Sequence, residues 1–323
     1  TAGRCRASTF ISPMKEMYTP MTTAHKSRVL DMTRGDPFRL VLQFSLPLFC
    51  SNMLQQVYNL TDTALAGHLL GSAALAEIGA TAALYGLIMN FAFGMNNGLA
   101  LTVSRCFGAG EREGIRRAVG WMVTLSAAVS IVLTTVSLLG RGALLQVLQV
   151  PAEVWDGAAA YLTVILLGIP LTMLYNMEAA LLRAVGNSVT PLLFLLFSSV
   201  LNVGLDAAFM GPLGMGVRGA AVATVLAQGI SAVLGAVYLV RSYPELHFTP
   251  AHLKKSARRA VMNMFWAGMS MGLMSAIYNL GSVALQSSIN ALGSVYITAQ
   301  TAARRMAEMY FIPGGALGIG VAT

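Results

Sequence analysis

Asn202 and Asp206 stand four residues apart, a spacing that puts a carboxamide and a carboxylate on one face of a helix about 6 Å from each other. With Asp62 and Thr224 they make a set of two acids, an amide and a hydroxyl, which suits a proton or a sodium ion. Burial favours a neutral carboxyl and a neighbouring cation favours the carboxylate, so such a set can bind and release a cation. Two structural readings stand beside this one: Asp62 and Asp206 as caps at helix ends, and Asn202 and Thr224 as interhelical packing bonds. Glu178 precedes Arg183 by five residues and reads as an ion pair at the rim of a membrane helix, structural or gating in role. Arg304 and Glu308 are four apart and neutralise each other, which leaves Arg305 seeking a partner on another helix as a further structural or gating candidate. The sequence carries no phosphate-binding loop, no metal-ligand pair on one helix and no nucleophile with a base, so no enzyme is expected. Energy for any transport must then come from an ion gradient or from the solute itself.

The elements that hold these groups are membrane helices. Hydrophobic residues make up 56% of the chain and charged residues 11%, with a mean hydropathy of +0.66, whereas a soluble domain carries about 25% charged residues. Runs of about 20 apolar residues, enough to cross ~30 Å of hydrocarbon, predict eight spans at 38–64, 74–103, 118–139, 157–178, 190–210, 215–241, 261–285 and 295–322. The runs do not alternate apolar with polar residues, which argues against a transmembrane barrel. An ionisable group at the centre of such a span costs about 3 kcal/mol or more, so Asp62, Glu178, Asp206, Glu308, Arg304 and Arg305 are expected to face the bundle interior.

A formal charge of +8 would fit a nucleic-acid partner until the basic residues are sorted by loop. Seventeen of the 21 lie before or at the start of the first span, or at or beyond the end of the second, fourth and sixth, and only Arg141 and Arg218 lie on the other side. This bias predicts a cytoplasmic N-terminus in the cell's inner membrane, with no role for nucleic acid. Span five then runs outward and span six inward, and Asp62, Asn202, Asp206 and Thr224 converge in the outer half of the bundle. Cys5, Cys50 and Cys106 have neither metal-site nor disulfide spacing. Residues 1–37 contain no apolar core with a cleavage site and are expected to be a disordered cytoplasmic segment. Five methionines around span seven, Met262, Met264, Met269, Met271 and Met274, read mainly as apolar filler, with an adaptable binding wall as the alternative.

The tripeptide Tyr58-Asn59-Leu60 returns as Tyr278-Asn279-Leu280, Ala64-Leu65 returns as Ala284-Leu285, and Gly71-Ser72 as Gly293-Ser294. Order of this kind marks an internal repeat. Six spans separate the two copies, so both face the same way, as in transporters built from parallel repeats about an axis along the membrane normal. The expected organisation is a first six-helix lobe at 38–241, a cytoplasmic linker at 242–260, and the start of a second lobe at 261–323. Two six-helix repeats require twelve spans, so the chain is expected to be part of a longer all-α polytopic protein of which eight spans are present.

The segments LPLFCSNMLQQVYNLTD from Leu46 to Asp62, AGHLLGSAALAEIGA, FGMNNGLALTVSRCFGAG, RAVGNSVTP from Arg183, LNVGLD to Asp206 and GVRGAAVATVLAQGISA from Gly216 resemble, in content and order, the multidrug and toxic compound extrusion (MATE) family. The resemblance implies twelve helices in two lobes that open alternately to either side. It implies export of cationic amphipathic drugs or toxic metabolites in exchange for H+ or Na+, by a monomer in the lipid bilayer with no other cofactor. It assigns cation coupling to Asp62, Asn202, Asp206 and Thr224, any sodium being held there. Some members carry a glutamate in the seventh helix, where this chain has Ser275-Ala276-Ile277-Tyr278, so coupling is expected in the first lobe. The alternative within the same superfamily architecture is a flippase for lipids or polysaccharide precursors, which would line its cavity with several basic residues.

Overall fold

The computed structural model describes residues 36–148, 150, 152–254, 258–290, 307 and 310–321. Its long elements are α1 (Pro37–Leu70), α2 (Ser72–Gly108), α3 (Arg112–Leu139), α5 (Trp155–Ala184), α6 (Val189–Met210), α7 (Val217–Ser242) and α9 (Arg258–Asn290). Short helices α4 (Arg141–Val147) and α8 (Pro250–Lys254) lie in the connections, and α10 spans Tyr310–Val321. There are no strands among the described residues. Glycine sets two of the turns: Gly71 between α1 and α2 and Gly186 between α5 and α6 both have φ of 83°, a conformation that side chains with a Cβ resist.

Among the described residues five helices, α3, α5, α6, α7 and α9, are long and apolar enough to cross a membrane, and α2 is a sixth if its two halves, bent by 44° near residue 83, count as one span. This falls short of the eight spans expected. The first, α1, is 34 residues long, but Gln55, Gln56, Asn59, Thr61 and Asp62 in its second half make it too polar for the same criterion. Most of the eighth expected span, with Arg304, Arg305 and Glu308, lies outside the described residues, as does the segment 1–35 with Cys5.

The first bundle is assembled around α5, which packs against α2, α3 and α7, while α6 lies between α1 and α7. Leu162, Leu166, Met173 and Leu182 of α5 meet Met95, Leu99, Val103 and Met122 in a fully buried core. The buried face of α7 is built from small residues, Gly219, Ala220, Ala223, Ala227, Gly229, Ala232 and Gly235, which lets its backbone approach α5 closely. Its large apolar residues, Leu226, Ile230, Val233, Leu234, Val237 and Val240, point outward and are exposed, as a lipid-facing surface requires.

Helix α9 lies along α2. Both carry the pattern Gly-x-x-x-Gly at the crossing, Gly94 and Gly98 against Gly268 and Gly272. A methyl group on Gly98 would stand 2.5 Å from the backbone oxygen of Ala267, and one on Gly94 2.6 Å from that of Met271. Only glycine permits this approach. Phe44, Ser45 and Leu48 of α1 pack on Ala316 and Gly320 of α10.

Candidate cation site

Helices α1, α6 and α7 bring Asp62, Asn202, Asp206 and Thr224 together at the end of the bundle that holds the α1–α2 and α6–α7 turns. Asp206 is wholly buried, Asn202 and Thr224 are buried, and Asp62 is half-buried. Neither acid closes its helix: α1 continues to Leu70 beyond Asp62, and α6 to Met210 beyond Asp206. The capping alternative is thereby set aside.

The amide of Asn202 makes two bonds in one of its orientations, in which Nδ2 donates to Oδ2 of Asp206 at 2.8 Å and Oδ1 accepts from the backbone N–H of Thr224 at 3.2 Å. In the other orientation Nδ2 has Oγ1 of Thr224 at 3.4 Å. The first gives Oδ2 of Asp206 a donor and is the arrangement the chemistry favours. Oγ1 of Thr224 donates to the backbone oxygen of Ala220 at 3.0 Å, so its lone pairs face the cluster. The carboxyl groups of Asp62 and Asp206 face one another within hydrogen-bonding reach, and one oxygen of each, Oδ1, has no partner. Neither acid has a Lys, Arg or His within 4 Å among the described residues.

Tyrosines close the site. Tyr58 lies beside Thr224, Asp62 and Asp206, while Tyr85 and Tyr161, from α2 and α5, stand near Asp62. Gln228, one turn along α7 from Thr224, neighbours Tyr85 and accepts from Oγ1 of Thr172 at 2.5 Å. Sequence reasoning missed these four. Tyr58 is four residues before Asp62 and Gln228 four after Thr224, so the spacing rule that linked Asn202 to Asp206 could have found both. Tyr85 and Tyr161 belong to other helices, and no local pattern announces them.

The expected Glu178–Arg183 rim pair is absent. A separation of five residues turns a helix through about 140°, so the two side chains leave α5 on different faces. Both are buried. Arg183 Nη2 donates to Oδ1 of Asn97 at 3.1 Å, and its guanidinium lies 5.6 Å from the centre of the Phe93 ring. It lines a cavity of about 190 Å³ between α2, α5, α9 and α10, together with Asn97, Ser104, Met271, Gly315 and Ile319. Of the methionines near the seventh span, Met264 is buried, Met262 and Met274 are exposed, and Met271 reaches this cavity. Arg305 is outside the described residues, and no group of three or more His, Cys, Asp or Glu able to hold a metal occurs among those described.

The segment 47–208, half of the chain, matches the MatE family model. The chain is 28% identical over 294 residues to a probable multidrug resistance protein, YpnP, of Bacillus subtilis, covering 91% of this chain and 65% of that protein. It is 29% identical over 196 residues to the probable multidrug resistance protein NorM of Thermotoga maritima, covering 59% of this chain and 42% of that protein. Among solved structures, an outward-facing multidrug resistance MATE transporter of the MOP superfamily superimposes with a TM-score of 0.80 at 25% identity, over 91% of this chain and 65% of the other. The chain thus spans less than two thirds of the length of these relatives.

Proposed function

This chain belongs to the MatE family of membrane transporters, and from that premise we propose that it works in secondary active multidrug efflux, exporting cationic amphipathic compounds in exchange for H+ or Na+. Membership in a transporter family makes it a transport protein and not an enzyme. Within the reading, eight spans of a twelve-helix, two-repeat architecture are present in this sequence, the N-terminus is cytoplasmic, and the cation site lies in the outer half of the first lobe. The observation that supports ion coupling is the facing pair Asp62 and Asp206, set together with no basic partner among the described residues. Two carboxylates in such surroundings need a positive charge between them, and the energy of burying them unpaired is prohibitive. A proton or a sodium ion supplies that charge and can leave again, which a lysine or arginine cannot do.

The coupling follows from differential affinity. Cation binding draws α1 toward α6 and α7 and favours one arrangement of the first lobe; drug binding favours the other, so each ligand drives release of its competitor. Pro47 interrupts the hydrogen-bond ladder of α1, and Ser51 Oγ donates to the Pro47 carbonyl at 2.8 Å, which gives α1 a place to bend.

Transport in proteoliposomes under separately imposed proton and sodium gradients tests this reading. In the full-length protein, Asp206→Asn is expected to abolish gradient-driven dye efflux and to leave membrane insertion intact. Normal efflux by that variant removes the assignment.

A further inference from the structure

A third acid lies buried elsewhere in the same lobe. Glu178 of α5 is 4% exposed, and its Oε1 makes no hydrogen bond or ion pair. Across a cavity of about 10 Å³ stands Ser231 of α7, 1% exposed, whose Oγ is also without a partner. The remaining walls are Tyr175, Ala179 and Leu182 of α5 and Pro191 and Phe194 of α6. Space for the carboxylate is made by Gly235, one turn beyond Ser231: a Cβ there would collide with Oε2 of Glu178. The acid is therefore built into the packing, and no neighbouring side chain neutralises it. Other titratable or charged groups near it are few. Its own helix carries Tyr175 and, beyond that, Arg183, whose guanidinium is engaged with Asn97 and Phe93. Helix α6 contributes none to the cavity, and α7 has Tyr238, packed edge-on against Phe194.

A volume of about 10 Å³ admits one water-sized body. Sodium needs five or six oxygen ligands, and here only the side chains of Glu178, Ser231 and Tyr175 carry oxygen, the other walls being apolar. A proton, with at most one water, is the cation that fits. The position is also informative. Ser231 is seven residues along α7 from Thr224, about 10 Å nearer the opposite end of the bundle. Between them lies the Thr172–Gln228 bridge, and Gln228 neighbours Tyr85, which neighbours Asp62. Thr224, Gln228, Ser231 and Gly235 recur at steps of three or four on α7, matched by Thr172, Tyr175 and Glu178 at steps of three on α5. Each turn of the α5–α7 seam therefore presents a polar group or the space for one.

We propose that Glu178, with Ser231, is a second proton-carrying site of the first lobe, placed at the far end of a polar seam from the Asp62–Asp206 pair. On the ion-coupled reading, on which this step rests, a proton taken up at the outer pair leaves toward the cytoplasm through Glu178. The site itself does not depend on that reading, because its titration can be observed without transport.

The experiment is infrared difference spectroscopy of the purified full-length protein between acidic and alkaline buffer, joined to dye efflux in proteoliposomes. Glu178→Gln is expected to remove one protonated-carboxyl band that survives in an Asp62→Asn/Asp206→Asn double variant. Ser231→Ala is expected to shift that band, and Ser137→Ala, in α3, to leave it in place. Proton-driven efflux by Glu178→Gln should fall at least tenfold, with gradient-free substrate exchange kept within twofold of the parent. A carboxyl spectrum unchanged by Glu178→Gln overturns the site, whatever transport does. If the band disappears and proton-driven efflux stays at the parental rate, the role in proton exit is overturned. Failure of Asp206→Asn to affect efflux counts against the coupling reading alone.

Discussion

The crossing of α2 and α9 is the tightest backbone approach that can be tested with a single methyl group. Alanine at Gly98 would place its Cβ 2.5 Å from the Ala267 carbonyl oxygen, 2.7 Å from the Gly268 Cα and 2.9 Å from the Ala267 carbonyl carbon. Ordinary Cβ contacts begin at 3.4 Å, so α9 must retreat by ~1 Å or the backbone must tilt. All three obstacles are main-chain atoms, so no rotamer change can relieve them. Overpacking of this kind costs about 1–3 kcal/mol, and the retreat also loosens the neighbouring contacts of Leu99 and Met95 with Gly268. Gly86, on the same helix, is the control: nothing lies within 4 Å of a Cβ placed there. Alanine at Gly86 should be neutral or stabilise by up to about 1 kcal/mol through helix propensity. Thermal unfolding of the purified full-length protein in detergent separates the two, with Gly98→Ala melting several degrees below the parent and Gly86→Ala at or above it. Equal melting of both variants refutes the close crossing.

The remaining predictions concern single hydrogen-bonding groups. Asn187, wholly buried after Gly186, donates to Thr190 Oγ1 and to the Tyr243 hydroxyl, both at 2.8 Å, and accepts from the Thr190 backbone N–H at 3.0 Å. Asn187→Ala removes these three buried bonds and should cost about 1–3 kcal/mol in unfolding experiments, whereas the same change at exposed Asn90 should cost little. Tyr58→Phe removes a hydroxyl from the cation site while keeping the ring, and should lower gradient-driven efflux several-fold with thermal stability nearly unchanged; unaltered efflux would mean that Tyr58 only fills space. Thr172→Val breaks the 2.5 Å bond to Gln228 and should slow proton-driven efflux more than gradient-free exchange, measured in the same vesicles.

Much of this structure is legible in the sequence because membrane helices announce themselves by composition. The runs predicted at 118–139, 190–210 and 215–241 lie within or nearly coincide with α3, α6 and α7. Apolar character alone ends the first span at 64, because polarity rises from Gln55 onward, yet the helix runs to Leu70, where Gly71 turns the chain. Polarity there reflects a helix facing a polar site and not the end of a helix. Asn202 and Asp206 are readable as a pair since they share one helix face, and the approach of Thr224 and Asp62 follows from depth in the bundle. Glu178 and Arg183 mislead for a complementary reason. Opposite charges five residues apart look like a pair on paper, but helical phase sends one toward α7 and the other toward α2 and α9.

On the proposed two-repeat reading, the two copies of the tripeptide differ in what surrounds them. Tyr58 and Tyr278 occupy corresponding places, yet Tyr58 packs on the two acids and Tyr278 is 74% exposed. The position corresponding to Asp62 at the same offset of 220 is Ser282, and the stretch around Tyr278 carries no acid. A duplicated unit supplies two similar frames, and a buried carboxylate is costly in each of them. That cost is borne where partners exist to share it, and here the partners Asn202, Thr224, Tyr58 and Tyr85 all belong to the first bundle. The glycine seam between α2 and α9 therefore joins a lobe that holds the acid pair to a helix with no acid near its own copy of the tripeptide. Under the proposed coupling, movement of that seam, and not a second ion site in α9, connects the cation to the cavity beside Arg183.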